Sequence, residues 1–193
     1  MSPIDPDRTI RSLSAQSSAD SVLESEPTKP TVYAGLPAAL RPPAPGCPEA
    51  TDEELAAVPP LKDLPLLMLP ADYPLPPTLE YGFPITLDQI SAICSQYNPS
   101  KPINILTESG FISMIAQARI SMALSERCGH PVQLSTVINH PGGHFMTFGN
   151  NYNFASLKRT LKGKHVRKLQ EALGTETPPT WFIDYGSTYW RDW

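Results

Sequence analysis

The sequence predicts an α+β fold: one small domain with a three- to four-stranded antiparallel sheet and about three helices, preceded by a disordered tail. Three observations predict it. Apolar residues recur at helical spacing in residues 87–97, 110–127 and 164–173. Two alternating segments flank a Gly-Gly pair, which is typical of a β-hairpin. Of the 23 prolines in 193 residues, 16 lie before residue 81, so we expect most regular structure after them.

Residues 1–58 are predicted to form a disordered, acidic tail rich in serine and proline. Its first half holds almost no aromatic side chains and cannot bury enough apolar surface to offset chain entropy. Residues 1–80 carry twelve Asp or Glu and five Lys or Arg, a net charge of −7, whereas residues 81–193 carry +3. Arg11 stands three residues before Ser14, a spacing typical of basophilic kinase sites, so we expect the tail to be regulatory.

The next segment, residues 59–80, mixes leucine with proline and is here called the Leu/Pro arm. It is too apolar for a solvated linker and too rich in proline for a helix. We therefore predict an extended, polyproline-like arm that docks on a compact domain at residues 81–193. One helical turn is expected just before the arm, at residues 52–58, and Pro59 terminates it.

The first full helix is predicted at residues 87–97. Thr86 and Gln89 have the spacing of a capping box. Ile85 and Ile90 can pack together as a hydrophobic staple, which fixes the direction in which the chain enters the helix.

The second and longest helix is predicted at residues 110–127 and is terminated by Gly129. It follows a short apolar segment at residues 103–106 that is either a strand or the lead-in to this helix. Its large apolar side chains fall on one side, which we expect to face the core. These residues are Phe111, Met114, Ile115, Ala118, Met122 and Leu124.

A β-hairpin is predicted from residues 132–138 and 144–148. A two-residue turn at the Gly-Gly pair would bring unlike faces of the two strands together. A three-residue loop that includes the preceding proline matches the apolar faces and is favoured, because a slip of one residue exchanges the faces. This register places His140 directly opposite His144.

Residues 154–173 have helical character, but the apolar phase changes by roughly 120° between the two halves. One straight helix could not bury both sets of side chains. We therefore predict a break at Gly163 and a helix at residues 164–173, and residues 153–162 are either a helical turn or a loop. A final aromatic strand is predicted at residues 180–185.

Two histidines are the first candidate for chemistry. Opposed side chains in an antiparallel pair lie about 5 Å apart, so His140 and His144 could share a metal ion or a proton. Cys128 and His130 lie just upstream and could add ligands, and zinc suits this set. A metal-dependent or hydrolytic enzyme is thus one alternative. The simpler interpretation is a polar, exposed end of a hairpin.

A basic segment at residues 158–168 is a candidate contact for phosphates of nucleic acid or lipid, or a nuclear import signal. Its six cations are Lys158, Arg159, Lys162, Lys164, Arg167 and Lys168. No aromatic residues interleave with them for base stacking, and a solvated helix face explains them equally well. Nucleic-acid binding is therefore an alternative function and not the favoured one.

Aromatic residues are concentrated near the C-terminus. Four of them are considered as a docking site: Trp181, Tyr185, Tyr189 and Trp190. In the simplest interpretation they complete the core and cap the sheet. Aromatic grooves also bind polyproline peptides and glycans. A third hypothesis makes the cluster the seat of the protein's own Leu/Pro arm.

The sequence argues against several classes of enzyme and of location. It has no G-x-S-x-G, no G-x-x-x-x-G-K-[ST] loop and no G-x-G-x-x-G fingerprint. It has no apolar run of roughly 20 residues and no secretory signal, and its three scattered cysteines suit a reducing compartment. The leading prediction is a cytoplasmic or nuclear, non-enzymatic protein-interaction module with an unknown protein partner, no cofactor and no membrane span.

Overall fold

The computed structural model describes residues 32–44, 46–71, 74–97 and 103–191. The disorder and the kinase site predicted within residues 1–31 lie outside these ranges. Within the described residues, four β-strands form one antiparallel sheet and five α-helices accompany it. The predicted α+β class with an antiparallel sheet is therefore confirmed.

The sheet has the strand order β2-β3-β1-β4, and every neighbouring pair is antiparallel. The strands are β1 at Leu79–Pro84, β2 at Gln133–Thr136, β3 at His144–Asn150 and β4 at Thr180–Ile183. The sequence did not predict β1, although it is a central strand. The predicted arm runs to residue 80, whereas Leu79 and Glu80 already belong to β1.

The two central strands approach each other most closely at Gly82. A Cβ atom at this position would clash with the carbonyl oxygen of Met146 on β3. The pairing register also shifts between Tyr81 and Gly82, as in a β-bulge. Glycine is therefore required here for β1 and β3 to pair.

The five helices are α1 at Asp52–Ala56, α2 at Leu87–Tyr97, α3 at Met114–Cys128, α4 at Phe154–Thr160 and α5 at Gly163–Leu173. The bounds of α2 are those predicted, and its capping box is present. The backbone N–H of Gln89 donates to Thr86 Oγ1 (3.2 Å), and that of Thr86 donates to Gln89 Oε1 (2.8 Å). Helices α4 and α5 are separate, as the change of apolar phase predicted.

The main core lies between one face of the sheet and helices α2 to α5. The sheet residues that contribute to it are Leu79, Phe83, Met146, Phe148, Trp181 and Ile183. Helix α3 packs against α2, α5 and β2. It is therefore held on several sides, and it supplies the surface considered below.

The two edge strands meet at one end of the sheet, so the sheet closes there. After β2, Val137 forms a β-bridge with Asp184, and the N–H of Ile138 donates to the carbonyl of Ile183, the last residue of β4 (3.0 Å). Val137 joins Phe145 and Phe182 in a second, smaller core on the sheet face opposite the helices.

The β2–β3 hairpin has a longer loop than predicted. Thr136 pairs with His144, so residues 137–143 form the loop and His140 does not lie opposite His144. The predicted faces of the strands are retained, because the register differs by an even number of residues. The N–H of Val137 still donates across the hairpin to the carbonyl of Gly143 (2.8 Å), and the loop is longer because Ile138 then donates to the carbonyl of Ile183 in β4.

The packed chain begins well before residue 59. Residues 32–58 contain two 3-10 helices, Val32–Gly35 and Ala38–Leu40, followed by α1. Four apolar side chains of this segment are buried in the main core: Leu36, Leu40, Leu55 and Val58. The predicted disorder is therefore wrong for residues 32–44 and 46–58. Pro37 acts as the N-cap of the second 3-10 helix, so proline here shapes a turn that directs leucines inward.

The Leu/Pro arm runs beside the C-terminal part of the chain. Leu61 forms a β-bridge with Trp181, and Leu75 forms one with Arg191. Met68, in the middle of the arm, is fully buried. These contacts connect the segment before β1 to the segment that follows β4.

Candidate interaction surface

The longest helix, α3, presents its apolar side to solvent. Met114 is 84% exposed, Ile115 is 65% exposed and Met122 is 60% exposed. Ala118, also exposed, lies between them on the same side of the helix. We call Met114, Ile115, Ala118 and Met122 the Met/Ile stripe. We predicted that this side of the helix faces the core, and that prediction is wrong.

The opposite side of α3 fills the core instead. Its buried residues are Ala116, Ile120, Ala123, Leu124 and Cys128. Several of these side chains are small, which lets α3 lie close to α2 and α5. Of the six residues that we predicted to be buried on this helix, Leu124 alone is buried.

Both ends of α3 are fixed. At the N-terminus, Ser113 Oγ accepts from the N–H of Ala116 (3.2 Å) and donates to the carbonyl of Asn104 (2.8 Å). At the C-terminus, Gly129 adopts a left-handed conformation with φ 71°, which glycine tolerates best. The Met/Ile stripe is therefore a pre-formed surface on a fixed helix.

Aromatic residues extend the surface beyond the N-terminus of α3. Phe111 is 73% exposed, and Tyr185, from the segment after β4, is also exposed. Both line a cavity of about 440 Å³ that also touches β2 and the Gly-Gly turn. The Met/Ile stripe and Arg119 line a shallow groove of about 430 Å³.

The apolar area on this side is large. Phe111, Met114, Ile115 and Met122 together expose on the order of 500 Å², if a whole side chain of this size exposes roughly 200 Å². The largest apolar patch on a typical monomer is about 300–600 Å², and patches of that size are often functional. The Met/Ile stripe contains no charged residue, so it offers apolar contact.

His140 and His144, the predicted metal pair, lie near each other in the hairpin. Burial lowers the pKa of His144, and the charge of His140 lowers it further. His140 Nδ1 accepts from the N–H of Gly142 (3.2 Å), and its ring meets Phe182 edge-on with centroids 5.9 Å apart. Because burial also lowers the pKa of His140, both imidazoles are mainly neutral at pH 7.

Cys128 and His130 do not join that pair. Cys128 is buried at the end of α3, and burial raises the pKa of its thiol. His130 Nε2 lies 3.2 Å from Thr160 Oγ1, and its ring centroid is 5.4 Å from that of His165. Across the part of the chain that the structure describes, no three His, Cys, Asp or Glu side chains are grouped closely enough to hold a metal ion. The predicted four-residue zinc set is therefore not assembled.

All six cations of the basic segment are exposed. Lys158 and Arg159 lie in the last turn of α4, Lys162 lies at the junction, and the other three lie on α5. Lys162 Nζ donates to the carbonyl of Arg159 (2.7 Å). The structure thus places the cations around one helix junction.

The four aromatic residues predicted as a docking site are dispersed. Trp181 is buried in β4, with ring centroids 4.8 Å from Tyr81 and 5.8 Å from Phe154. Tyr185 and Tyr189 are exposed instead of packed on the sheet. These residues therefore do not form a single groove.

Trp190, the fourth of these aromatic residues, contacts the N-terminal part of the described chain. Its Nε1 donates to the carbonyl of Leu40 (3.0 Å), and its ring meets Tyr33 edge-on at 5.4 Å. The arm itself meets Trp181, through Leu61. The aromatic residues thus contact two different parts of the N-terminal chain.

Sequence reasoning missed two partly or fully buried carboxylates on the sheet face opposite the helices. Glu80 is buried, and Thr147 Oγ1 donates to its Oε2 (2.7 Å). Burial raises the pKa of Glu80, and the negative charge of the nearby Asp184 raises it further. The hydrogen bond from Thr147 acts in the opposite direction and lowers this pKa. Burial also raises the pKa of Asp184. Only recognition of β1 as a strand could have revealed that Glu80 is enclosed.

The comparisons with known proteins add no relative. No protein-family model matches the sequence, and neither the search of curated proteins nor that of solved structures gave a significant match. None of the helices in the described ranges has the length and apolar character needed to cross a membrane. A function for this chain can therefore be inferred from its own surfaces alone.

Proposed function

We propose that this chain is a non-enzymatic protein-interaction module whose binding surface is the Met/Ile stripe together with Phe111. One observation supports this most directly: α3 exposes its large apolar side chains although its other side is packed. The largest apolar patch of a monomer often has a function, and this patch lies within the usual size range of such patches. Methionine side chains adapt to a partner's shape, which suits them to such surfaces.

An amphipathic helix is the occupant that fits this surface. Ile115, Ala118 and Met122 follow the three-then-four spacing with which one helix packs against another. Four of the five residues that line the groove are apolar and Arg119 is the fifth, which favours an apolar helix face as the ligand. The short side chain of Ala118 leaves space for an apolar side chain of the partner to enter the groove.

Photo-crosslinking tests the proposal in the full chain. Benzoylphenylalanine is placed at Met122, a large exposed side chain at one end of the Met/Ile stripe, in cells that naturally produce the protein, and the products formed on irradiation are identified by mass. The control is the same probe at Ala92, an exposed alanine on α2. We expect one defined protein product from position 122 and none from position 92. No product from position 122, or the same products from both positions, contradicts the proposal.

The exposed cations support a second candidate function, a contact with phosphates. All six lie around the α4–α5 junction and are open to solvent. If the junction binds nucleic acid, a labelled oligonucleotide binds at low salt, and affinity falls steeply as salt increases. Replacement of Lys164, Arg167 and Lys168 by Ala then reduces the salt dependence. An oligonucleotide that does not bind at low salt excludes this candidate.

A further inference from the structure

We infer that the helix that occupies the Met/Ile stripe is α3 of a second copy of this chain, so that the protein forms a two-fold symmetric dimer. This inference rests on the proposed function, because it names the partner of the same surface. Three features of α3 support it: the spacing of the stripe, the small residue at its centre and the size of the exposed area.

Three of the four residues of the Met/Ile stripe are spaced symmetrically along the helix. Met114 and Met122 each stand four residues from Ala118, so the three form one ridge along the helix. A two-fold axis beside Ala118, with the helices antiparallel, places Met114 of one copy next to Met122 of the other. A two-fold interface must be self-complementary in this way, since each copy contributes the same patch.

The residue at the centre allows close approach. Two helices that pack through their i±4 ridges meet at the middle of the ridge, and their axes are about 8 Å apart when the side chains there are small. Ala118 occupies that position and is exposed. The methionines on either side then enter the groove that the stripe forms on the other copy.

The exposed area is sufficient for a modest dimer. Two copies of the Met/Ile stripe and Phe111 together expose on the order of 1,000 Å² of apolar surface, which is at the lower end of specific interfaces. We therefore expect a weak dimer that dissociates on dilution. The antiparallel arrangement also brings the N-terminus of each helix towards the C-terminus of the other, which is the favourable direction for the helix dipoles.

Sedimentation of the full chain at a series of concentrations tests the dimer. We expect the wild-type protein to approach the mass of a dimer by about 100 µM. Ala118→Glu, which would bring two carboxylates together at the axis, should weaken dimerisation at least about tenfold. Ala92→Glu, the same change at an exposed position of α2, should leave it unchanged. A wild-type protein that stays monomeric at about 100 µM overturns the inference.

A disulfide tests the symmetry. In a Cys47→Ser background, which removes the exposed native thiol, Ala118→Cys should form a covalent dimer on mild oxidation. At the axis the two Cα atoms can come within the roughly 4.4–6.8 Å that a disulfide spans. Met114→Cys should not crosslink alone but should do so when mixed with Met122→Cys. Efficient crosslinking of Met114→Cys alone would indicate a parallel pair and overturn the antiparallel dimer.

The photo-crosslinking experiment distinguishes failure of the dimer from failure of the proposed function. A product from position 122 with the mass of two copies supports both. A product with a different protein, together with a monomeric wild-type chain in sedimentation, supports the interaction module and overturns the dimer. No product from position 122 and a monomeric chain overturn both.

Discussion

The side chain of Asn151 donates a 2.7 Å hydrogen bond from Nδ2 to the carbonyl of Met68, 83 positions earlier in the chain. The same nitrogen donates to the carbonyl of Pro77 (3.0 Å), and Oδ1 accepts from the N–H of Leu79 (2.9 Å). Asn151 is itself buried. One side chain therefore satisfies three backbone groups, two in the Leu/Pro arm before β1 and one at the first residue of β1.

Asn151→Ala should destabilise the protein strongly. It leaves three buried backbone groups unpaired, each at a cost of about 1–3 kcal/mol, so we expect the free energy of unfolding to fall by about 3 kcal/mol or more. The measurement is urea denaturation followed by circular dichroism. Asn104→Ala, at an exposed position, is the control and should change the free energy of unfolding by less than about 0.5 kcal/mol. A loss below about 1 kcal/mol for Asn151→Ala would show that the arm does not depend on these bonds.

Leu40→Ala should be destabilising, although Leu40 lies in a proline-rich segment with the composition of a tail. Its side chain is fully buried in the main core, so its loss should cost about 2–5 kcal/mol. Leu66→Ala is the matched control, because Leu66 is 83% exposed within the arm and should be nearly neutral. Thermal denaturation of the two variants compares them directly. Equal melting temperatures would mean that residues 32–58 do not contribute to the core.

Gly82→Ala should prevent normal pairing of the central strands. The added Cβ meets the carbonyl oxygen of Met146, a backbone atom that cannot move aside cheaply. We expect a loss of more than about 3 kcal/mol or failure to accumulate as folded protein. Gly35→Ala is the control, because no atom lies within 4 Å of the added carbon. A folded, stable Gly82→Ala variant would contradict the close β1–β3 approach.

Glu80 should make stability decrease as pH rises. Burial raises its pKa in the folded state, so from the ordinary pKa of about 4.3 upward the folded state binds more protons than the unfolded state. The stabilisation that Glu80 contributes is therefore complete below its ordinary pKa of about 4.3, and it is lost as the pH rises through the higher pKa of the folded state. Glu80→Gln should flatten the dependence of the urea midpoint on pH over this window. Glu171→Gln, on the exposed face of α5, should keep the wild-type slope.

Local signals in the sequence were sufficient for several elements. The capping box at Thr86 and Gln89 defined the start of α2, and the change of apolar phase near Gly163 separated α4 from α5. These features depend on residues a few positions apart, where propensity and spacing determine the outcome. The faces of the β2–β3 hairpin were likewise correct although its loop length was not.

The features that failed depend on distant parts of the chain. Periodicity located α3 but not the side that packs, because small residues such as Ala116 and Ala123 fit against α2 and α5 better than large ones. β1 was missed because its sequence follows a run of prolines, and its stability comes from β3 and β4. Neither fact is encoded within a short window of sequence. The exposed stripe, and hence the candidate surface, could be recognised only in the folded chain.

The contact between Trp190 and Leu40 has a consequence for how the protein is made. The two residues stand 150 positions apart, and β1 likewise pairs with β4, which comes last along the chain among the four strands described. Contacts of such high sequence separation slow folding, and these two cannot form before β4 and Trp190 have left the ribosome. Until then the buried leucines of residues 36–68 lack their final partners, and we expect a chaperone that shields them to raise the yield of native protein.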